Sequence, residues 1–536
     1  MRQTLAMLGV LAAVVGAASA SPASLRASKA STGATFVLTG RGWGHGVGFS
    51  QCGAIGYGKH GWTYSQILRH YYRGTQVTDA PTTRVRVLVA DGRQSVRISS
   101  RSAFKVRDGT GKSYALAAGA LDVTTGLKVK VDPAKPARTL PGPLTFVPGR
   151  SMLVLDKPYR GQLAVKVVGN RLRAVNSLPL DQYVYGVVPI EIGSSGPAEA
   201  LKAQAVAARS YALATRRSGD FDLYPDIRSQ SYGGAEVEHP ETNAAVDATA
   251  GRVLTYKGKV ITAYYFASSG GRTASVQDVW GGSAVPYLVS VSDPYDGVCS
   301  EHNWGPYVFS GASLARKLGV AGRAADARTV VNPSKRVTTL QVTVGGRRIS
   351  IAGPTVRQTM GLRSTWFRVG VLSLTRPAGP AVYGVGVDLS GVARGVGAAF
   401  LQQRIPGKQW SRVGRVEPSA NGSFVLRVRP KRLLDYRVAA GKAASAAVRV
   451  AVAPRVRLEA GGPDELLGSV RPALTSARVD LQRQGGAKWT TVGSTRTDAS
   501  GEFAASLTLA SGSYRARIGA RAGYAAGVSA PVQVAG

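Results

Sequence analysis

From residue 378 onward the chain repeats itself, and this limits what the last third can fold into. Leu401-Gln402, Trp410, Val413-Gly414, Gly422 with Phe424, and Tyr436-Arg437 return as Leu481-Gln482, Trp489, Val492-Gly493, Gly501 with Phe503, and Tyr514-Arg515. The offset is 78 to 80 positions. A unit of that size, made of short alternating strands, suits a small β-sandwich of immunoglobulin or fibronectin type. Two tandem sandwiches are therefore predicted, 378–455 and 456–536. Binding carbohydrate and simple spacing stay equally open as their role, because no cluster of aromatics marks a sugar platform.

The 536 residues exceed what one core can enclose, so a larger domain is expected upstream. Thr35-Phe-Val-Leu-Thr39 alternates like a strand and runs into the glycine-rich turn Gly40-Arg-Gly-Trp-Gly-His-Gly-Val-Gly48. Ile67, Leu68 and Tyr71 then fall at helical spacing before Gly74. Between Thr83 and Val188 come short valine-rich alternating segments broken by Gly, Asp and Pro, with a strand ending at Pro189. The clearest helix spans 197–217, with Gly196 as cap, Pro197 first, Glu199 in the first turn and Arg216 and Arg217 in the last. Strands return at 252–256 and 260–266. The reading is an α+β catalytic-type domain over 35–377, mostly β with one long helix, followed by two small all-β sandwich domains.

The first twenty residues look like a signal peptide: Arg2, an apolar run from Leu5 to Ala17, and Ala18-Ser19-Ala20 before the expected cut. Residues 21–34, rich in Ser and Ala, read as a disordered lead-in. No later apolar run approaches the ~20 residues of a membrane span. The mature protein is expected to be secreted, in the cell wall or the extracellular medium. A net charge of +38 points to an anionic partner, the alternative being that the charge only keeps the protein soluble. The basic residues follow no nucleic-acid-binding motif, so anionic wall polymers fit an exported chain better than nucleic acid. Cys52 and Cys299 are the only cysteines. Export permits a disulfide between them but does not require one.

Chemistry concentrates in two places. In Gly186-Val-Val-Pro-Ile-Glu-Ile192 a lone carboxylate sits among apolar neighbours. Burial there would raise the pKa of Glu191 and let it serve as a general acid toward a glycosidic oxygen. Glu199, in a first helical turn, reads as structural. In the glycine-rich turn, backbone can approach a ligand closely beside His45, Ser50 and Gln51. The turn lacks the spacing of a dinucleotide fingerprint and the lysine of a phosphate loop. Gly48-Phe-Ser-Gln-Cys52 misses the serine-hydrolase elbow at its fifth position. Cys52 as a thiol-protease nucleophile lacks the neighbouring pattern. No H-E-x-x-H or C-x-x-C occurs, so no metal and no cofactor are expected.

Leu178-Pro-Leu-Asp-Gln-Tyr-Val-Tyr-Gly-Val-Val-Pro-Ile-Glu191, followed by Glu199-Ala-Leu-Lys-Ala-Gln-Ala-Val-Ala-Ala-Arg-Ser-Tyr-Ala-Leu213, resembles the stage II sporulation protein D and amidase enhancer (LytB) family. The likeness covers roughly residues 35–370, through Ser268-Ser-Gly-Gly271, Val279-Trp-Gly281 and Leu362-Arg-Ser-Thr-Trp-Phe367. The block Gly42-Trp-Gly-His-Gly-Val-Gly-Phe-Ser-Gln-Cys-Gly-Ala54 usually follows the Leu-Arg-Ser-x-Trp-Phe segment in that family, and here it comes first. The domain thus reads as circularly permuted, with the strand from Thr35 expected to pack near the segment ending at Val369. The resemblance implies a lytic transglycosylase acting on peptidoglycan glycan strands, with Glu191 catalytic. It places His45, Ser50, Gln51, Arg209, Tyr232, Ser269 and Gly270 along the substrate groove. The zinc of some members is not carried over, since Phe266 and Ala267 are poor ligands. The alternative it implies is a non-catalytic, wall-binding enhancer of an N-acetylmuramoyl-L-alanine amidase.

Overall fold

The computed structural model describes residues 33–80, 83–132, 134–462 and 464–535; the expected signal peptide and nearly all of the expected lead-in lie outside them. The chain is mostly β, arranged in several separate sheets. The valine-rich stretch forms a six-stranded sheet in the order Arg84–Arg93, Arg171–Pro179, Gln162–Val168, Leu144–Val147, Phe104–Arg107, Ser113–Leu116. Its inward residues, among them Val85, Val87, Phe104, Phe146, Leu163 and Val165, build one core.

Five helices organise the site: α1 (Gln51–Lys59), α2 (Tyr64–Tyr71), α3 (Leu180–Tyr185), α4 (Val188–Ile192) and α5 (Ala198–Ala214). The long α5 is buried on two faces. Ala205, Ala208 and Ala212 join the β-rich core, whereas Ala200, Ala203, Val206 and Ala207 join a second core with Val47, Phe49, Ile67, Leu68, Tyr71 and Leu254. A helix enclosed on both sides needs small side chains all round, which is why its sequence is dominated by alanine. Pro197 has extended backbone and caps α5 from outside, and the helix ends at Ala214, short of the expected 217. Arg216 instead reaches the Arg84 carbonyl and Asp222, while Arg217 lies over Phe221 and Tyr224.

Three further elements differ from the sequence reading. Pro189 opens the short helix α4 rather than ending a strand, placing Glu191 on a helix. Within 260–266 only Lys259–Val260 and Tyr265–Phe266 pair as strands. Helix α1 was not foreseen, because Gly53, Gly56 and Gly58 are poor helix formers. They are there for contact: a Cβ on Gly53 would lie 2.0 Å from the Tyr71 hydroxyl, and one on Gly56 2.2 Å from the Tyr295 carbonyl.

The strand Thr35–Arg41 pairs antiparallel with Phe367–Leu374, with Leu38 opposite Val369, so the two segments lie side by side as expected. Its sheet continues through Val387–Arg394 and Ser423–Val428, so one hydrogen-bonded ladder crosses residue 377. The repeated segments build matching sheets, in which Leu401, Phe424 and Tyr436 fill one core and Leu481, Phe503 and Tyr514 the next.

Cys52 and Cys299 form a disulfide that closes a loop of sequence separation 247. Chain entropy puts its stabilisation at about 5 kcal/mol. Thiol titration of denatured, unreduced protein is expected to find no reactive thiol, and two would contradict the bond. Cys52→Ser is expected to melt far below the wild type.

Candidate functional site

Glu191 lies at the end of α4, half-buried, and its Oε1 accepts the Ser231 backbone N–H at 3.0 Å. Burial raises its pKa above the ordinary 4.5, while hydrogen bonding from Ser231 and Gln51 pulls the other way. Burial wins, so the carboxyl keeps its proton at a pH where a solvated glutamate has lost it. The groups around it are held from behind. The Tyr265 hydroxyl donates to Gln230 Oε1 at 2.8 Å, and Gln230 Nε2 reaches the Tyr183 hydroxyl and the Ala208 carbonyl, both at 3.3 Å. Gln51 Nε2 donates to Gln204 Oε1 of α5 at 3.4 Å.

His45 supports this group rather than titrating within it. Its Nδ1 accepts the Val47 N–H at 3.1 Å and its Nε2–H donates to the Tyr265 carbonyl at 3.0 Å, so both nitrogens are engaged in the neutral form. Burial among Tyr264, Phe266 and Trp280 drives its pKa down to about 4. The ring also lines a cleft of about 520 Å³ with Trp280, Arg357 and Leu362. Trp280 stands 50% exposed, and Tyr264 bridges it, at 4.8 Å, to Tyr211, at 5.8 Å. Tyr211 in turn contacts Tyr265 at 6.2 Å, so a row of aromatic rings leads from the cleft to the ring that faces Glu191.

Ser50, Ser269 and Gly270 converge on a residue the sequence reading passed over, Asp296. Its buried carboxylate accepts from the Ser50 and Ser268 hydroxyls at 2.7 Å, from the Ser269 N–H at 2.7 Å and from the Gly270 N–H at 2.9 Å; His302 Nδ1 lies 2.9 Å away. Burial opposes the charge, but these donors outweigh it and hold the pKa below 3.8. Gly270, with φ +69°, has no room for a side chain: a Cβ would lie 2.5 Å from that of Arg41. Ser50 also caps α1, accepting the Gly53 N–H, and so aims Gln51 toward Glu191.

Arg209 and Tyr232 are enclosed in the core. The Arg209 guanidinium is fully buried and spent on Asp181, Thr249 and the Val246 carbonyl, tying α5 to α3 and to the helix Pro240–Asp247. Tyr232 packs on Tyr183 and donates to Asn176 at 2.8 Å. Its neighbour Ser231 is the residue that touches Glu191. Glu199 accepts from Lys202 and from the Tyr64 N–H. Among the described residues one acid and thiol cluster has metal-like proximity, Cys52, Cys299 and Glu301, but its two sulfurs are bonded to each other.

A family model for Stage II sporulation proteins matches residues 168–256. An uncharacterized protein of Brachyspira hyodysenteriae is 42% identical over 137 residues, covering 25% of this chain and 37% of its own length. Stage II sporulation protein D of Bacillus amyloliquefaciens is 32% identical over 253 residues, 42% of this chain and 71% of that protein. The amidase enhancer of Bacillus subtilis is 45% identical over 112 residues, which is 21% of this chain and 15% of the enhancer.

Asp293 stands beside Asp296, accepts the Tyr71 hydroxyl at 3.0 Å, and has an Oδ2 without a hydrogen-bond partner among the described residues. Burial, then the charge of Asp296, raises its pKa from 3.8 to about 7. A carboxyl with a raised folded-state pKa contributes stability below its unfolded value and loses it as pH climbs through the folded one. Wild type is therefore expected to lose stability between pH 5 and pH 8, and Asp293→Asn to lose on the order of 2 kcal/mol less, read from urea midpoints. Equal losses would contradict the assignment.

Proposed function

This chain belongs to the stage II sporulation protein D family, and from that premise we propose that it is an exported cell-wall protein that cleaves peptidoglycan glycan strands by lytic transglycosylation. The observation that carries the reading is Glu191, a carboxyl with its proton retained by burial and its orientation set by the Ser231 N–H. Protonated Glu191 gives its proton to the glycosidic oxygen as the bond from C1 to that oxygen breaks. The carboxylate so formed takes the proton of the sugar's own C6 hydroxyl, whose oxygen closes on C1. Protons balance, no water is consumed, and the product is a 1,6-anhydro end. One carboxyl serves both steps, so the second carboxylate of ordinary glycosidases is not needed. The exposed face of Trp280, with Tyr264 and Tyr211 beyond it, offers stacking surface for sugar rings on the approach to Glu191. Export agrees with the apolar leader that opens the sequence and with the disulfide, which an oxidising compartment sustains. Circular permutation of the domain is part of the proposal, supported by the pairing of Thr35–Gly40 with Phe367–Leu372.

The amidase enhancer relative favours a second reading, in which the chain binds the wall, cuts nothing and stimulates an amidase. Mature wild type and Glu191→Gln, incubated with purified peptidoglycan and with peptide-free glycan strands, separate the two. Wild type is expected to release 1,6-anhydromuramic ends by mass spectrometry, and the variant to be slower by ~100-fold or more. The alkaline limb of the wild-type rate profile is expected above pH 4.5, where burial places the proton loss of Glu191. If neither protein cuts while both bind the wall, the enhancer reading replaces this one.

A further inference from the structure

The two C-terminal units share a fold but not a charge. Across 378–455 thirteen Lys and Arg face three Asp and Glu, whereas across 456–535 nine face six. The excess in the first unit is gathered in one place. An open cleft of about 710 Å³ is lined by Arg404, Lys408, Arg427, Arg429, Lys431 and Arg432. Arg404 is paired with Asp435 and Arg427 with Asp388; the other four have no ion pair among the described residues.

The repeat supplies an internal control for whether the fold needs these cations. Some arginines recur because the sandwich uses them: Arg437 lies over Trp410 at 4.2 Å and donates to Gln402, and Arg515 lies over Trp489 at 4.3 Å and donates to Gln482. Five of the six cleft cations do not recur. The strand Ser423–Val428 and the loop after it correspond to Glu502–Ser506 and its loop, where Ser506-Leu-Thr-Leu-Ala-Ser511 stands in place of Arg427 through Arg432 and carries no charge. The position of Arg404 is taken by Gln484, and only Lys408 has a basic counterpart, Lys488. The second unit therefore reaches the same architecture without the cluster. Crowding six like charges, four unpaired, costs stability through mutual repulsion unless an anion offsets it.

We infer that the first C-terminal unit binds a phosphate-bearing polyol polymer in this cleft, a site separate from Glu191. Arginine forks match phosphate oxygens two at a time, and three of the six cations are the exposed Arg427, Arg429 and Arg432. The exposed aliphatic surfaces of Ile405 and Val413 lie between the charges and suit a chain of methylene and hydroxyl groups. Nucleic acid would ask for exposed rings to stack its bases; the one ring lining this cleft, Tyr436, is 1% exposed, and the two rings of the adjoining hollow, Tyr383 and Tyr524, are half-buried and set edge to face against each other. A polymer is favoured over a single anion because the cleft adjoins a second hollow of about 630 Å³, which shares Ile405, Lys431 and Arg432 and reaches Tyr524 of the second unit.

The test uses the full mature chain and a variant that takes the second unit's residues, Arg429→Thr with Lys431→Ala and Arg432→Ser. Lys408→Glu is the second variant should the first melt early. Affinity for a synthetic poly(glycerol phosphate) is measured by calorimetry across a salt series. The triple variant is expected to bind at least 30-fold more weakly, with the slope of log affinity against log salt reduced by about two. Arg478→Ala with Arg496→Ala and Arg521→Ala, an equal charge loss on the second unit, is expected to change affinity less than threefold. Unchanged binding by both cleft variants would overturn the site. Tighter binding of single-stranded DNA of equal charge would overturn the polyol assignment, and full competition by inorganic phosphate at equal phosphate concentration would overturn the polymer.

Discussion

Asp296 is the point at which distant parts of the chain are fixed to one another. Its two oxygens collect donors from Ser50, 246 positions away in sequence, from the turn Ser268 to Gly270 and from His302. A buried carboxylate persists only when its lone pairs are filled, so each donor is required to keep the charge, and the charge holds each donor. The disulfide from Cys52 to Cys299 runs beside the same junction. Because Ser50 both feeds Asp296 and caps α1, the start of that helix cannot move independently of the turn. Gln51 is the next residue, and its approach to Glu191 is set by this arrangement.

Glu191 is treated in the opposite way. Its carboxyl accepts one backbone N–H, and burial, the largest influence on it, raises its pKa above the ordinary 4.5. Ionisation there opposes folding, so the fold gives up stability where the proposed chemistry needs a proton, a trade common at active sites. The two carboxyls thus divide the labour: Asp296 is charged and saturated, and holds the scaffold, while burial shifts Glu191 toward its protonated form.

Much of this was legible in the residues and some was not, for physical reasons. The repeat from 378, the strand at Thr35 and the approximate span of α5 follow from periodicity, and the suspicion of Glu191 follows from its apolar neighbours. Helix α1 was hidden, since Gly53 and Gly56 serve close contacts with Tyr71 and Tyr295 that no local propensity encodes. Asp293 and Asp296 were passed over because carboxylates near a turn usually face water, and nothing in one sequence announces that Ser50 and Ser268 will meet them. Arg209 illustrates the reverse: a conspicuous motif residue proves to be an internal staple. The cationic cleft of the first C-terminal unit emerges only when its sequence is laid on that of its twin.

The account turns on whether burial keeps the Glu191 proton. Carbon-13 NMR titration of glutamate-labelled protein, with Glu191→Gln identifying the resonance by its loss, measures this directly. The Glu191 carboxyl is expected to titrate above 4.5. A midpoint at or below 4.5 would leave the residue an ordinary carboxylate and remove the proposed acid from the site.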